Sequence, residues 1–145
     1  MLWGIVVSAI SGAMMSVQGV FNAEVTKQTS VWLSAAFVQL TALLVCVTAW
    51  FVTGRDGMVG SLFQVTPKYM LLGGVIGAFI TYTVIVSINI LEPARSAMLI
   101  VSTQLLVSYL IELLGMFGVE KQPFEWRKAI GIIIVIAGFI TFKWK

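Results

Sequence analysis

Apolar residues gather along this chain into five long runs, and the polar residues collect mainly between them. A helix that crosses a membrane needs about 20 predominantly apolar residues. Residues 2–22, 31–52, 69–91 and 94–117 each meet that length. The first has no charge before Glu24, and the fourth is interrupted only by Arg95 near its start and Glu112 near its end. A fifth run, residues 126–144, has a shorter uncharged core, Ala129 to Phe142. Its flanking Arg127, Lys128 and Lys143 can snorkel to an interface, and Trp126 and Trp144 bracket it like an aromatic belt. The pattern predicts an all-α membrane protein in which one domain, residues 1–145, holds five transmembrane helices. The connections, residues 24–30, 53–68, the Glu92-Pro93 turn and 118–125, are too short to fold as soluble domains. Pro93 suits the first position of a helix, where its missing N–H costs nothing.

Composition narrows the class. The chain has 145 residues, of which 59% are hydrophobic and only 10% charged. A soluble domain carries about 25% charged residues, so the solvent of this surface must be largely lipid. The nine Lys and Arg are scattered and the net charge is only +3, which excludes the basic patch that nucleic acid requires. There is no His, hence neither the commonest metal ligand nor the usual proton shuttle near neutral pH. The single Cys46 lies inside an apolar run and reads as a small hydrophobe. No nucleotide-binding motif is present, so no cofactor is expected. With no His and no paired carboxylates on one helix, enzymatic chemistry lacks its parts.

Polar side chains inside the spans are the candidate chemistry, because they must face protein or water rather than lipid. Residues four or seven apart share a helix face. In the first span Gly4, Ser8, Gly12 and Ser16 make a small-residue stripe suited to close helix packing. Gln18 and Asn22 occupy a different face, where they either hydrogen-bond to a neighbouring helix or line a cavity. Gly73, Gly77 and Thr81 form a second packing stripe, with Tyr82 and Asn89 as a modest polar face and Gln39 alone in the second span. In the fourth span Gln104, Ser108 and Glu112 recur at four-residue steps. Glu112 stands near the end of its helix. It reads either as an interfacial carboxylate paired with a basic loop residue, or as a proton- or cation-linked carboxylate in a cavity. Desolvation would raise its proton affinity. Glu92 and Arg95 read as a local ion pair and cap, or as part of a gate.

Lys and Arg in short loops set membrane orientation. With five spans, one side holds Arg55, Lys68, Lys121, Arg127 and Lys128, and the other Lys27, Arg95, Lys143 and Lys145. This near-balance leaves two readings open: one orientation fixed by other factors, or insertion both ways. In the second, an inverted pair builds a two-fold transporter from one chain, as inverted repeats do within longer ones.

The segments MSVQGVFNAEV, EPARSAMLIVSTQLLVSYLIELLGMFG and WRKAIGIIIVIAGFITF resemble the small YdcZ-type membrane proteins of the drug/metabolite transporter superfamily. The likeness covers essentially the whole chain. It implies a five-helix half-transporter of the bacterial inner membrane, pairing antiparallel with a second copy or with a sister chain. In that family the acid of the fourth span is often Asp followed by an aromatic; here it is Glu112 followed by Leu113. The small multidrug resistance proteins are a weaker comparison, since they have four spans and an embedded acid in the first, where this chain has none before Glu24. The resulting expectation is a secondary exporter of a small polar or amphipathic solute. Its site would be formed by Gln18, Asn22, Tyr82, Asn89, Gln104, Ser108 and Glu112, with Glu112 as the proton-coupling group. The alternative is a membrane scaffold or accessory subunit whose small and polar residues only bind helices together.

Overall fold

Helix is the secondary structure that satisfies every backbone N–H and C=O within its own segment, as hydrocarbon demands. The computed structural model describes residues 2–54, 57 and 59–143, and its regular elements among these are all helical. They are α1 (Leu2–Thr26), α2 (Val31–Val52), α3 (Val59–Leu62), a 3₁₀ turn (Lys68–Leu72), α4 (Gly73–Leu91), α5 (Pro93–Leu114) and α6 (Trp126–Lys143). Arg55, Trp144, Lys145 and the side chain of Lys143, which entered the charge and belt arguments, lie outside the described residues.

Four stretches are long and apolar enough to cross a membrane: Leu2–Thr26, Val31–Val52, Lys68–Leu91 and Pro93–Leu114. α6 forms over the expected fifth run but carries Arg127 and Lys128 in its first turn and Lys143 as its last residue, which leaves only residues 129–142 as an uncharged run, and it is not among the four. α1 runs a turn beyond the expected 22, through Glu24, and α5 stops at Leu114 rather than 117. That stop has a local cause. Gly115 takes φ 65° and its N–H donates to the Ile111 carbonyl, a left-handed cap that favours glycine. A Cβ there would also approach Lys121 Cβ to 3.0 Å. At the other end of α5, Glu92 has φ 69° and ψ 158°, the extended ψ that a residue before proline favours.

The chain divides into two compact units, Met1–Asn89 and Ile90–Lys145. In the first, α1, α2 and α4 meet through small and polar residues. Gly19 is the point of closest approach: a Cβ there would come within 2.7 Å of Ile88 Cδ1 and 3.8 Å of Val84 Cγ1. Trp32 on α2 stacks on Tyr82 of α4 with ring centroids 4.3 Å apart, and Phe79 meets the same indole edge-on at 6.3 Å. Ser30 caps α2, its side chain accepting from the Leu33 N–H. In the second unit α5 packs on α6.

The buried apolar side chains among the described residues are few: Ala23, Ala35, Ile85, Tyr109 and Ile132. Most large apolar side chains of α1, α2 and α4 are exposed. A water-soluble chain could not carry such a surface, whereas lipid solvates it without cost. The Gly19 contact yields a prediction. Gly19→Ala displaces only the flexible end of Ile88 and leaves thermal stability in detergent close to wild type. Gly19→Leu overpacks the contact and lowers stability by about 1–3 kcal/mol, read as a lowered melting temperature.

Candidate substrate site

Polar side chains of the first unit divide into those with internal partners and those without. Asn89 Nδ2 donates to Thr26 Oγ1 at 3.1 Å, and that hydroxyl donates in turn to the Ala23 carbonyl at 2.7 Å. Gln39 Nε2 donates to Thr81 Oγ1 at 3.3 Å, which donates to the Gly77 carbonyl at 3.0 Å. Gln39 also lies 3.8 Å from where a Gly77 Cβ would sit. Gly77 and Thr81 thus face α2, while Gly73 faces open space. Ser34, 2% exposed, donates to the Asn22 carbonyl at 3.2 Å. These bonds tie α1, α2 and α4 together by the polar glue expected of membrane helices.

Gln18 and Asn22 stand apart from that glue. Among the described residues neither side-chain amide has a hydrogen-bond partner. Both line an open groove of about 550 Å³ between α1 and α2. Gln18 is exposed, whereas Asn22 is only 8% exposed. Tyr82 is half-buried in its stack with Trp32. The small-residue stripe of α1 lies open: nothing approaches within 4 Å of a Cβ built on Gly4 or Gly12, and Ser8 and Ser16 are exposed. Ser16 donates only to the Gly12 carbonyl of its own helix, at 3.1 Å.

In the second unit, Gln104 and Ser108 are exposed and have no hydrogen-bond partner among the described residues. Gln104 stands ten residues from the end of α5 and eleven from its start, about 15 Å of helix rise in either direction. That depth is close to the middle of an apolar layer about 30 Å thick. Glu112 is engaged. Lys128 Nζ reaches its Oε2 at 3.1 Å and also contacts Glu125 Oε1 at 3.4 Å. Lys128 and Glu112 are 40% and 41% exposed, so the pair is in contact with its surroundings. Glu112 is thus an end-of-helix carboxylate with a basic partner. The partner comes from the start of α6. By contrast, Glu92 makes no side-chain cap bond, and no ion pair joins it to Arg95 among the described residues.

Beneath the Glu112–Lys128–Glu125 cluster lies a residue that spacing alone did not single out. Tyr109, 8% exposed, donates its hydroxyl to the Glu125 carbonyl at 3.3 Å and accepts from the Glu125 N–H at 3.1 Å. A phenol three residues before the acid, on a helix otherwise apolar there, was the available signal, since a buried Tyr hydroxyl usually finds a partner. Its two bonds fix the start of α6 against α5. The backbone repeats the link, with Gln122 N–H donating to the Glu112 carbonyl at 2.9 Å.

Four long apolar helices with polar groups set deep within them define a polytopic α-helical membrane protein. The chain matches, over residues 3–141, the family described as "Putative inner membrane exporter, YdcZ". It belongs to that family and is an inner-membrane protein. No curated protein and no solved structure matches the chain.

The Tyr109 pair of bonds supplies a second prediction. Tyr109→Phe keeps the ring and removes both hydrogen bonds, lowering stability by about 0.5–1.5 kcal/mol per bond lost. It also exposes the segment around Glu125 to faster amide hydrogen exchange than in wild type.

Proposed function

We propose that this protein is a secondary transporter that exports a small polar or amphipathic solute, working as an antiparallel dimer. Membership of the exporter family supports the reading. The observation that carries it is the unpartnered Gln104 at the middle of α5. An amide left in hydrocarbon without a partner costs several kcal/mol. A solute passing through a wet cavity would satisfy it, as the partly satisfied groups of transport pathways require. Gln18 and Asn22 in the first unit, and Gln104, Ser108 and Glu112 in the second, are the recognition groups we assign. Asn89 and Tyr82 act from behind, holding α4 against α1 and α2.

In this reading α6 completes a fifth crossing. Trp126 and the snorkelling stems of Arg127 and Lys128 lie at one interface. The near-equal distribution of Lys and Arg between the two sides supports insertion in both orientations. Alternating access follows from rocking one protomer against its inverted partner. Glu112 couples the cycle by exchanging Lys128 for a proton or a cation. Protonation would release Lys128 to Glu125, which already lies 3.4 Å from it.

Inter-helix bonds made by Asn89 and Gln39 favour a second reading, a scaffold or accessory subunit in which polar residues act only as glue. Two measurements separate the readings. With Cys46→Ala and a cysteine added after Lys145, about half the tags should react with a membrane-impermeant thiol reagent in intact cells. Labelling confined to one side would remove the homodimer reading and leave a sister chain or the accessory role. Second, Glu112→Gln should keep assembly by size-exclusion chromatography yet abolish solute-dependent proton movement in proteoliposomes, read by internal pyranine. Loss of assembly with no change in proton movement would favour the scaffold.

A further inference from the structure

The geometry points to the groove between α1 and α2 as a binding site for uncharged amphipathic molecules, with a hydrogen-bonding head at Asn22 and Gln18 and an apolar body along Val17 and Val45. The inference rests on the transporter reading and names a substrate class for it.

Asn22 carries the argument. It is 8% exposed, and its side-chain amide has no partner among the described residues. No side-chain nitrogen or oxygen among those residues is both fully enclosed and unpartnered. The Asn22 amide therefore keeps an opening, and the groove it lines is that opening. One turn away, Gln18 adds a second amide to the same groove. A primary amide both donates and accepts, so the two together suit a hydroxyl, an amine N–H or a carboxamide.

Depth orders the groove. Asn22 and Gln18 lie four and eight residues before the end of α1, about 6 and 12 Å of rise. Ala13, the deepest α1 residue lining the groove, lies about 20 Å from that end. On α2, Ala42 and Val45 lie about 16 and 21 Å from the helix start. The polar end is thus nearer the interface, and the apolar end reaches toward the middle of the hydrocarbon. An amphipath dissolved in the bilayer already has that orientation, so it enters sideways without turning over.

Charge is excluded by the same walls. None of the lining residues is ionisable, and an unpaired charge in such a groove is strongly disfavoured. The volume of about 550 Å³ falls in the range of about 300–1,000 Å³ typical of small-molecule sites.

The test uses the purified full-length protein in phosphatidylcholine nanodiscs and the neutral fluorescent amphipath N-phenyl-1-naphthylamine. Saturable binding above that of empty nanodiscs is expected. Ala42→Trp fills the groove and should abolish it. Asn22→Leu removes the buried amide and should weaken binding roughly tenfold, the equivalent of one hydrogen bond. Leu43→Trp, exposed on α2 and outside the groove, should bind as wild type. The cation ethidium should not compete. Circular dichroism checks folding, and Thr41→Phe replaces Ala42→Trp if that variant fails to fold. The inference is overturned by absent saturable binding, by groove-filled variants that bind normally, by an unchanged Asn22→Leu, or by displacement with ethidium. A co-purifying phosphatidylcholine lost on groove filling, with no probe binding, also overturns it and makes the groove a lipid cleft. Loss of the groove site with solute-dependent proton movement intact sinks this inference alone. Probe binding without such movement instead sinks the transporter reading and keeps the site.

Discussion

Hydrocarbon offers no hydrogen bonds, and every polar atom of this chain that enters it must be matched from within the protein or by something the protein holds. Several hydroxyls meet the demand locally. Thr41, Thr83, Ser102, Thr103 and Thr141 each donate to a carbonyl three or four residues back on their own helix. The amides cannot do so as readily, because they carry two donors and an acceptor on a longer stem. Asn89 and Gln39 find partners on neighbouring helices and so set which faces of α1, α2 and α4 meet. Gln18, Asn22 and Gln104 find none among the described residues, and those three amides mark where function is to be sought.

Because lipid and apolar side chains are equivalent neighbours, little hydrophobic drive is available to press the helices together. Packing within the first unit then depends on small residues that let backbones approach. Gly19, Ala23, Ser34 and Ala35 are the sites where α1 and its neighbours close up. The regular stripe of Gly4, Ser8, Gly12 and Ser16 is left open by the same helix. Seven-residue spacing puts Gly12 with Gly19 and Ser16 with Ala23, so one small-residue face of α1 is packed toward its C-terminal end and open toward its N-terminal end.

The second unit accommodates the carboxylate near the end of α5 differently. Glu112 stands in the last turn of α5, three residues before a left-handed glycine turns the chain, and the returning segment brings Lys128 back to it. Tyr109 holds that return in place through the Glu125 backbone. A charged group near the apolar layer is tolerable only with such a partner and an outlet to water. The pair has both.

Helix class, the four stretches long and apolar enough to cross a membrane, and the inner-membrane family were legible in the sequence. They depend on run length and composition, which need no knowledge of which helix touches which. The polar positions were legible for the same reason, since an amide in an apolar run stands out wherever the run packs. Their fates were not. Spacing put Gln18 and Asn22 on one face and Gln104, Ser108 and Glu112 on another, but could not say that Asn89 would be taken up by Thr26 or Glu112 by Lys128. The stripe at Gly4 to Ser16 looked like the packing surface, yet the tight contact formed further along that face, at Gly19, and left Gly4 and Gly12 open. Each of these choices depends on the residue that arrives opposite in space, from sequence separations such as 63 between Asn89 and Thr26. Periodicity along one helix carries no information about such a partner, so only the tertiary structure could decide it.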